Sequence, residues 1–148
     1  MHINSILDWF KKVRPEPNQK DFTTQLGVHI EEFGEMLDAL SGETEADYRQ
    51  LILLKEFVNS FAHKLKAGDI TVKVAEEDRV DFLDSLCDQI VTATGTAHTQ
   101  RMDIDHALME VIRSNDSKFD GQGLPIFDSN KKVIKGPNYW KPNLAPFV

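Results

Sequence analysis

The sequence predicts an all-α protein, a helical bundle of four to five helices with an irregular C-terminal tail, completed by oligomerisation. Apolar residues recur at helical spacing through most of the first 120 residues, and proline and glycine interrupt them at a few points. The 148 residues are 41% hydrophobic and 28% charged, which fits one compact domain. We therefore expect a single domain over 1–148, with an N-terminal helix and linker over 1–20, a helical core over 21–120 and a tail over 121–148.

Two helices are predicted in the first forty residues. The first covers 3–13, and the prolines at positions 15 and 17 end it. The second covers about 21–40, with Asp21 as the expected N-cap and Ser41-Gly42 as its end. The apolar stripe of this second helix consists of Phe22, Leu26, Ile30, Phe33, Leu37 and Leu40.

Three more helices are predicted before residue 120. The third runs from about 44 to 66 and is closed by Gly68, the fourth from about 76 to 100, and the fifth from 104 to about 119 after an Asp103 cap. Between the third and fourth, residues 70–74 alternate β-branched and polar types, which favours an extended segment. In the tail, 125–127 and 132–134 are expected to form a small hairpin.

Charge and composition exclude several classes of protein. The formal net charge of −7, from 24 acidic and 17 basic residues, disfavours nucleic acid as a partner. No stretch approaches the roughly 20 apolar residues that cross a bilayer, so we expect no membrane association. Position 87 holds the one cysteine, which rules out an intrachain disulfide and favours a cytoplasmic location. We expect Cys87 to be a buried core thiol.

The second helix carries a cluster of carboxylates in the string HIEEFGEML. On a helical wheel Glu31, Glu35 and Asp38 fall within about 60° of one another, and Glu32 lies roughly 60° further round, on a line of apolar residues. A carboxylate there is costly unless it is paired or bound to a cation, and crowded glutamates repel each other. Hard oxygens at this spacing favour Mg²⁺ or Mn²⁺ over Zn²⁺. The same string also fits an ordinary acidic surface turn.

The fourth helix carries a second acidic stripe. Asp81, Asp84 and Asp88 lie within about 60° on the wheel. The opposite side is a predicted core stripe of Phe82, Leu83, Leu86 and Ile90. If the second and fourth helices are neighbours, their acids can face each other across one metal cluster. A solvent-facing acidic ridge is the alternative.

The end of the fifth helix adds an amide and an amine. Asn115 and Lys118 continue the apolar line of that helix at the same spacing. Asn115 can hydrogen-bond a phosphate or a ligating carboxylate, and Lys118 can neutralise phosphate charge. The alternative is that the helix has left the core by this point.

Four ordered blocks carry a family resemblance over about residues 22–144. They are HIEEFGEML, DFLDSLCDQIVTATGTAHTQRMDID, MEVIRSNDSKFD and KGPNYWKPNL. Together they resemble the all-α nucleoside triphosphate pyrophosphohydrolases, in particular the MazG-like, phosphoribosyl-ATP-pyrophosphatase-like branch. The family pattern is EExxE on one helix and ExxD on the next core helix. Ser85 stands where ExxD has its glutamate, and Asp84 is the expected substitute because it shares a face with Asp88.

The resemblance implies an enzyme, a hydrolase of phosphoric anhydrides. It implies Mg²⁺-dependent hydrolysis of a (deoxy)nucleoside triphosphate to the monophosphate and pyrophosphate, in a catalytic core over 21–120. The role is either nucleotide-pool house-cleaning or a biosynthetic step of the phosphoribosyl-ATP pyrophosphohydrolase type. A homodimer or homotetramer is the implied assembly.

The resemblance also assigns roles to residues of this chain. Glu31 or Glu32 is the expected general base. The expected Mg²⁺ ligands are Glu32, Glu35, Asp84 and Asp88, with Glu31 on a second ion. Asn115 and Lys118 would hold phosphates, and three tail residues would close over the triphosphate like a lid. Those three are Lys135, Tyr139 and Lys141.

Two other function classes remain as alternatives. A di-iron carboxylate bundle needs Glu-x-x-His motifs on its helices, and the sequence contains none. A non-catalytic helical dimerisation module would leave all of these acids on a solvated surface. A response of thermal stability to Mg²⁺ with a nonhydrolysable triphosphate would distinguish the enzyme from that module.

Overall fold

The computed structural model describes residues 2–128 and 132–148. This part of the chain contains five α-helices, is 66% helical and has no strand, which confirms the all-α class. None of its helices is both long enough and apolar enough to span a membrane. The chain forms two compact units, one of Pro17–Glu76 and one of Met1–Glu16 with Glu77–Val148. The predicted core over 21–120 is divided between them.

The unit Pro17–Glu76 is a helical hairpin, in which α2 (Gln19–Asp38) packs antiparallel against α3 (Glu45–Ala67). The cap of α2 differs from the prediction. Asn18 is the N-cap, and its side chain accepts hydrogen bonds from the backbone N–H groups of Lys20 and Asp21. Asp21 returns a bond to the backbone of Asn18, so it is the third residue of a capping box and not the cap itself.

The ends of α3 confirm the prediction. Thr44 is the N-cap, and its hydroxyl accepts from the backbone of Asp47 at 3.2 Å. Gly68 ends the helix with φ 83°, a left-handed conformation that glycine adopts without the Cβ penalty of other residues. The segment 70–74 that follows is not a strand. Gln19 donates to the carbonyl of Val72 at 2.6 Å.

Small residues allow α2 and α3 to approach closely. A Cβ on Gly27 would lie 2.8 Å from the side chain of Lys66 and 3.0 Å from the carbonyl oxygen of Ala62. A Cβ on Gly34, two turns later, would meet the side-chain oxygen of Asn59. The buried residues of the two helices are Thr23, Gly27, Gly34, Leu37, Val58, Ala62 and Leu65.

The second unit contains α1 (His2–Val13), α4 (Arg79–Thr99) and α5 (Ile104–Asp116). One turn of 3₁₀-helix, Glu76–Asp78, precedes α4, and another, Ala145–Phe147, lies near the chain end. As predicted, Asp103 caps α5 by accepting from the backbone N–H of His106 at 3.2 Å. The helix ends at Asp116, and tighter turns carry the chain on to Phe119.

Aromatic packing joins α1 to α5. The indole of Trp9 donates to the carbonyl of Asn115 at 3.2 Å, and its ring is stacked on Phe119 at 5.7 Å between centroids. Phe119 is 4% exposed and Val13, at the end of α1, is also buried. These contacts anchor the region where α5 ends.

The burial predicted for α4 is wrong. No residue of α4 is buried; Leu83 and Ile90 are 62% and 53% exposed, and Cys87 is exposed as well. Within its unit α4 packs against α5 alone among the described helices. Because one neighbouring helix covers only part of a 21-residue helix, the apolar stripe stays largely uncovered in the described structure.

The predicted tail hairpin is present as a single antiparallel bridge between Phe127 and Val133. Ile134 donates to the carbonyl of Ile126 at 2.9 Å beside it. The remainder of the tail that the structure describes is irregular, as expected, and ends in the 3₁₀ turn near Phe147.

Candidate functional site

A groove between α2 and α3 collects the carboxylates of the EExxE string. Its volume is about 350 Å³, within the range of small-molecule sites. The residues lining it are Glu31, Glu35, Asp38, Asn59, Ala62, His63 and Lys66. The three acids come from α2, on the common face that the helical wheel predicts.

The α3 side of the groove was missed by the reading of the sequence. Asn59, His63 and Lys66 lie at i, i+4 and i+7 on α3 and therefore share one face. Lys55, one turn before Asn59, extends the same polar line. The periodicity of polar residues on α3 was a signal that could have found this face.

Two lysines of α3 neutralise two carboxylates of α2. Lys66 forms an ion pair with Glu31, and Lys55 forms one with Asp38. The Lys66 and Glu31 side chains are 28% and 40% exposed, so solvent partly screens the pair. The chain itself thus supplies part of the positive charge that was expected from a divalent cation.

Glu32 lies on the exposed surface of α2, where a carboxylate costs little. Its side chain is exposed, and Met36, one turn further along the line, is 46% exposed. Glu32 is also absent from the lining of the groove, whereas Glu31 and Glu35 are part of it. The glutamates of the string therefore divide between the groove and the outer surface of α2.

Asp84 and Asp88, the predicted partners on α4, belong to the second unit and are exposed. Ser85 stands where the ExxD pattern has its glutamate. Its hydroxyl donates a hydrogen bond to the backbone carbonyl of Asp81 at 2.9 Å. Within residues 2–128 and 132–148, no group of three or more His, Cys, Asp and Glu side chains is placed to hold a metal ion.

Asn115 and Lys118 lie together at the end of α5, as their spacing predicts. The ammonium of Lys118 donates to the amide oxygen of Asn115 at 2.7 Å, and both side chains are partly buried. The backbone carbonyl of Asn115 accepts from Trp9. The amide and the amine are thus held at one point of the second unit, with the lysine bonded to a neutral acceptor.

The three tail residues proposed as a lid are part of a segment attached to α5. The ammonium of Lys135 lies 4.5 Å from the centroid of the Tyr139 ring, and Lys141 is exposed. The buried hydroxyl of Ser114 donates to the carbonyl of Trp140 at 2.8 Å. The backbone N–H of Trp140 donates in turn to the hydroxyl of Ser117 at 3.2 Å. These two hydrogen bonds hold the tail segment 135–141, called the strap below, against the end of α5.

The N-cap of α5, Asp103, has a shifted pKa. Hydrogen bonds from the backbone and the ring of His106 lower the pKa of Asp103. Asp103 is the cap of α5 and lies outside the predicted catalytic set. Its lowered pKa reflects helix capping.

Comparisons with known proteins add no relative. The chain matches no protein-family model, no curated protein and no solved structure.

Proposed function

We propose that this protein is a Mg²⁺-dependent nucleoside triphosphate pyrophosphohydrolase. It would cleave a (deoxy)nucleoside triphosphate between the α and β phosphates, with a role in nucleotide-pool house-cleaning. The observation that carries the proposal is the groove in which Glu31 and Glu35 face Asn59 and His63. The four sequence blocks that resemble the pyrophosphohydrolases support the same reaction.

The donor chemistry of the groove fits a hard divalent cation. Glu31, Glu35 and Asp38 offer carboxylate oxygens, which Mg²⁺ and Mn²⁺ prefer over nitrogen or sulfur. The ligand set implied by the resemblance is Glu32, Glu35, Asp84 and Asp88, with Glu31 on a second ion. Bound Mg²⁺ would supply charge neutralisation at the phosphates and a lowered pKa for a coordinated water.

The general base is better assigned to Glu31 than to Glu32. Glu31 lines the groove and Glu32 does not. The ion pair with Lys66 orients the Glu31 carboxylate in the groove, where a carboxylate can accept a proton from water. Asn59 and His63 can donate hydrogen bonds to phosphate oxygens in the same groove.

The resemblance implies that Asn115 and Lys118 hold phosphates. The ammonium of Lys118 lies beside the neutral amide of Asn115. Lys135, Tyr139 and Lys141 lie on the strap that follows α5. Their proposed role is to close over the triphosphate.

A homodimer or homotetramer in the cytoplasm is the proposed state of the protein. Exposed apolar side chains on α3 and α4 support an assembly, since helices are stabilised mainly by packing of an apolar face. Phe57 and Leu53 on α3 are 73% and 60% exposed, and Val91 on α4 is 67% exposed. Light scattering on the purified protein tests this part of the proposal.

The reaction is tested by pyrophosphate release from a panel of nucleotides. The panel contains ribo- and deoxyribonucleoside triphosphates, modified triphosphates and phosphoribosyl-ATP, each with Mg²⁺, with Mn²⁺ and with chelator. We expect pyrophosphate and a monophosphate from at least one triphosphate, and no release with chelator. Preference for phosphoribosyl-ATP would support the biosynthetic alternative. No release from any compound would overturn the proposal in favour of a non-catalytic dimerisation module.

A further inference from the structure

The groove residues of the hairpin lie on one side of the line along which α2 and α3 touch. On α2, Glu35 lines the groove and directly follows the buried Gly34 in the sequence. The other pairs of a buried residue and the groove residue after it are Leu37–Asp38 on α2 and Val58–Asn59, Ala62–His63 and Leu65–Lys66 on α3. Each residue turns a helix by about 100°, so one step past the buried line leads to the groove on both helices.

The residues directly before the buried ones form the opposite side of the hairpin, which we call the back face. They lie two residues before the groove residues and therefore about 200° away from them round each helix. Because both helices contribute to the groove, both also contribute to the side that faces away from it. The back face consists of Phe22, Leu26, Phe33 and Met36 on α2 and Phe57, Phe61 and Lys64 on α3.

The back face is apolar and largely uncovered. Apart from Lys64, all of its side chains are apolar, and none is acidic although the chain has a net charge of −7. Phe57 is 73% exposed, and Phe33 and Met36 are 47% and 46% exposed. A contiguous apolar surface of this kind on a helical unit is typical of an interaction surface.

The dimensions of the back face fit a second hairpin. The two helices contain 20 and 23 residues, so the face is roughly 30 Å long, and two packed helices make it roughly 20 Å wide. This is the scale of the roughly 800 Å² that each partner buries in a stable interface. A single helix would cover half of that width, whereas a second hairpin covers all of it and completes a four-helix bundle.

The charges at the two ends of α3 indicate how the second hairpin would lie. The first turn is acidic, with Glu45 and Asp47, and the last turn is basic, with Lys64 and Lys66. If a two-fold axis crosses α3, the basic end of each α3 lies opposite the acidic end of its partner. Opposite charges then attract at both ends of the interface, which favours a second copy of this chain as the occupant.

We propose that the back face binds the back face of a second copy of this chain, with the two α3 helices antiparallel. This surface deepens the proposed assembly and rests on it, but it does not depend on the proposed reaction. Because the groove is on the other side of each hairpin, packing through the back face covers neither groove.

Analytical ultracentrifugation of the full chain over a range of concentrations tests the surface. We expect self-association in the unchanged protein, and Phe57→Gln and Phe33→Gln should each weaken it by about tenfold or more. The reason is that a symmetric pair loses the burial of two apolar side chains with each substitution. Phe57→Leu keeps an apolar side chain and should retain most of the affinity.

Lys64→Glu tests the antiparallel arrangement. It places an acid opposite the acidic end of the partner, so self-association should weaken by about two- to tenfold at low salt. The difference from the unchanged protein should shrink as salt is added. An unchanged affinity at low salt would overturn the antiparallel arrangement.

Ile52→Gln is the matched control for the phenylalanine variants. Ile52 is an apolar residue of α3 that is 37% exposed, but it shares a helix face with the groove residue Asn59, two turns later. Its substitution should change self-association by less than about twofold. Circular dichroism checks that each variant keeps its helices.

Three results would overturn the surface, and they separate it from the rest of the proposed function. A monomer at every concentration would remove both the surface and the proposed assembly. Self-association that Phe57→Gln and Phe33→Gln leave unchanged, or that Ile52→Gln weakens equally, would remove the surface and leave the assembly. The reaction is tested separately by pyrophosphate release, which can fail while self-association through the back face persists.

Discussion

The ammonium of Lys66 on α3 forms an ion pair with the carboxylate of Glu31 on α2. Both residues line the groove that also contains Glu35 and Asp38. The pair links the two helices of the hairpin at the residue proposed as general base. A double-mutant cycle with Glu31→Gln and Lys66→Met should give a coupling of about 0.2–1 kcal/mol in urea unfolding. The coupling should decrease as salt is added.

A control for this cycle is the Glu45–Arg49 pair on α3. Both of its side chains are at least 70% exposed, and the pair lies within one helix. Its coupling should be about 0.3–0.5 kcal/mol and should leave catalysis unchanged. Zero coupling between Glu31 and Lys66 would show that their ion pair adds nothing to the stability of the hairpin.

Removing a proposed metal ligand should abolish turnover and leave the helices intact. Glu35→Gln and Asp88→Asn each replace a charged oxygen donor by an amide of similar shape, so we expect pyrophosphate release to fall by about a hundredfold or more. Far-UV circular dichroism should not change, because both side chains are exposed.

Asp81→Asn on α4 and Glu56→Gln on α3 are matched controls, because each removes one negative charge from a helix surface. Both positions are exposed and lie outside the proposed ligand set. Near-normal turnover in Glu35→Gln or Asp88→Asn would show that the metal assignment is wrong.

Adding one methyl group to a glycine should have opposite effects in the two units. Gly95→Ala places a Cβ in open space within α4, so the gain in helix propensity should stabilise the protein by up to about 1 kcal/mol. Gly27→Ala places a Cβ 3.0 Å from the carbonyl oxygen of Ala62, so α2 and α3 must separate slightly.

We expect Gly27→Ala to be less stable than Gly95→Ala by about 1–3 kcal/mol, the usual cost of overpacking. Urea unfolding followed by circular dichroism measures both variants. Equal stabilisation by the two substitutions would contradict the close packing of the hairpin.

The attachment of the strap to α5 depends on Ser114. Its hydroxyl is buried and donates to the carbonyl of Trp140, so Ser114→Ala should cost about 1 kcal/mol. A loosened strap should also raise KM for triphosphates, because Lys135 and Tyr139 lie on it. Ser85→Ala, which removes an exposed hydroxyl, should stay within about 0.5 kcal/mol of the unchanged protein. Unchanged KM in Ser114→Ala would argue against the lid.

Asp103 makes α5 sensitive to acid. Its pKa is lowered by the hydrogen bonds from His106, so its carboxylate contributes stability above the usual aspartate pKa of about 3.9. That contribution is lost as the pH falls through the lowered pKa of the folded state. Asp103→Asn keeps a capping oxygen without the charge, so melting temperature should fall less steeply below about pH 4. A slope identical to that of the unchanged protein would contradict this role.

Helix boundaries and shared helix faces were predictable because they depend on residues close in sequence. Thr44, Gly68 and Asp103 cap backbone groups that lie within a few positions of them in the sequence. Their residue types therefore predict the ends of α3 and the start of α5. The grouping of Glu31 and Glu35 on one face follows in the same way from the pitch of a helix.

Burial and pairing could not be predicted in this way, because they depend on residues far along the chain. Lys66 reaches Glu31 across 35 positions, and its role emerges only when α3 folds back onto α2. The apolar stripe of α4 predicted a core helix, yet Leu83 is exposed. An apolar stripe shows only that a helix can bury one face; whether that face is buried depends on the elements that pack against it. The sequence thus determined where the helices of this protein lie, because capping and helix pitch depend on neighbouring residues. The tertiary structure determined which charged groups pair, because these residues come together only when distant helices pack.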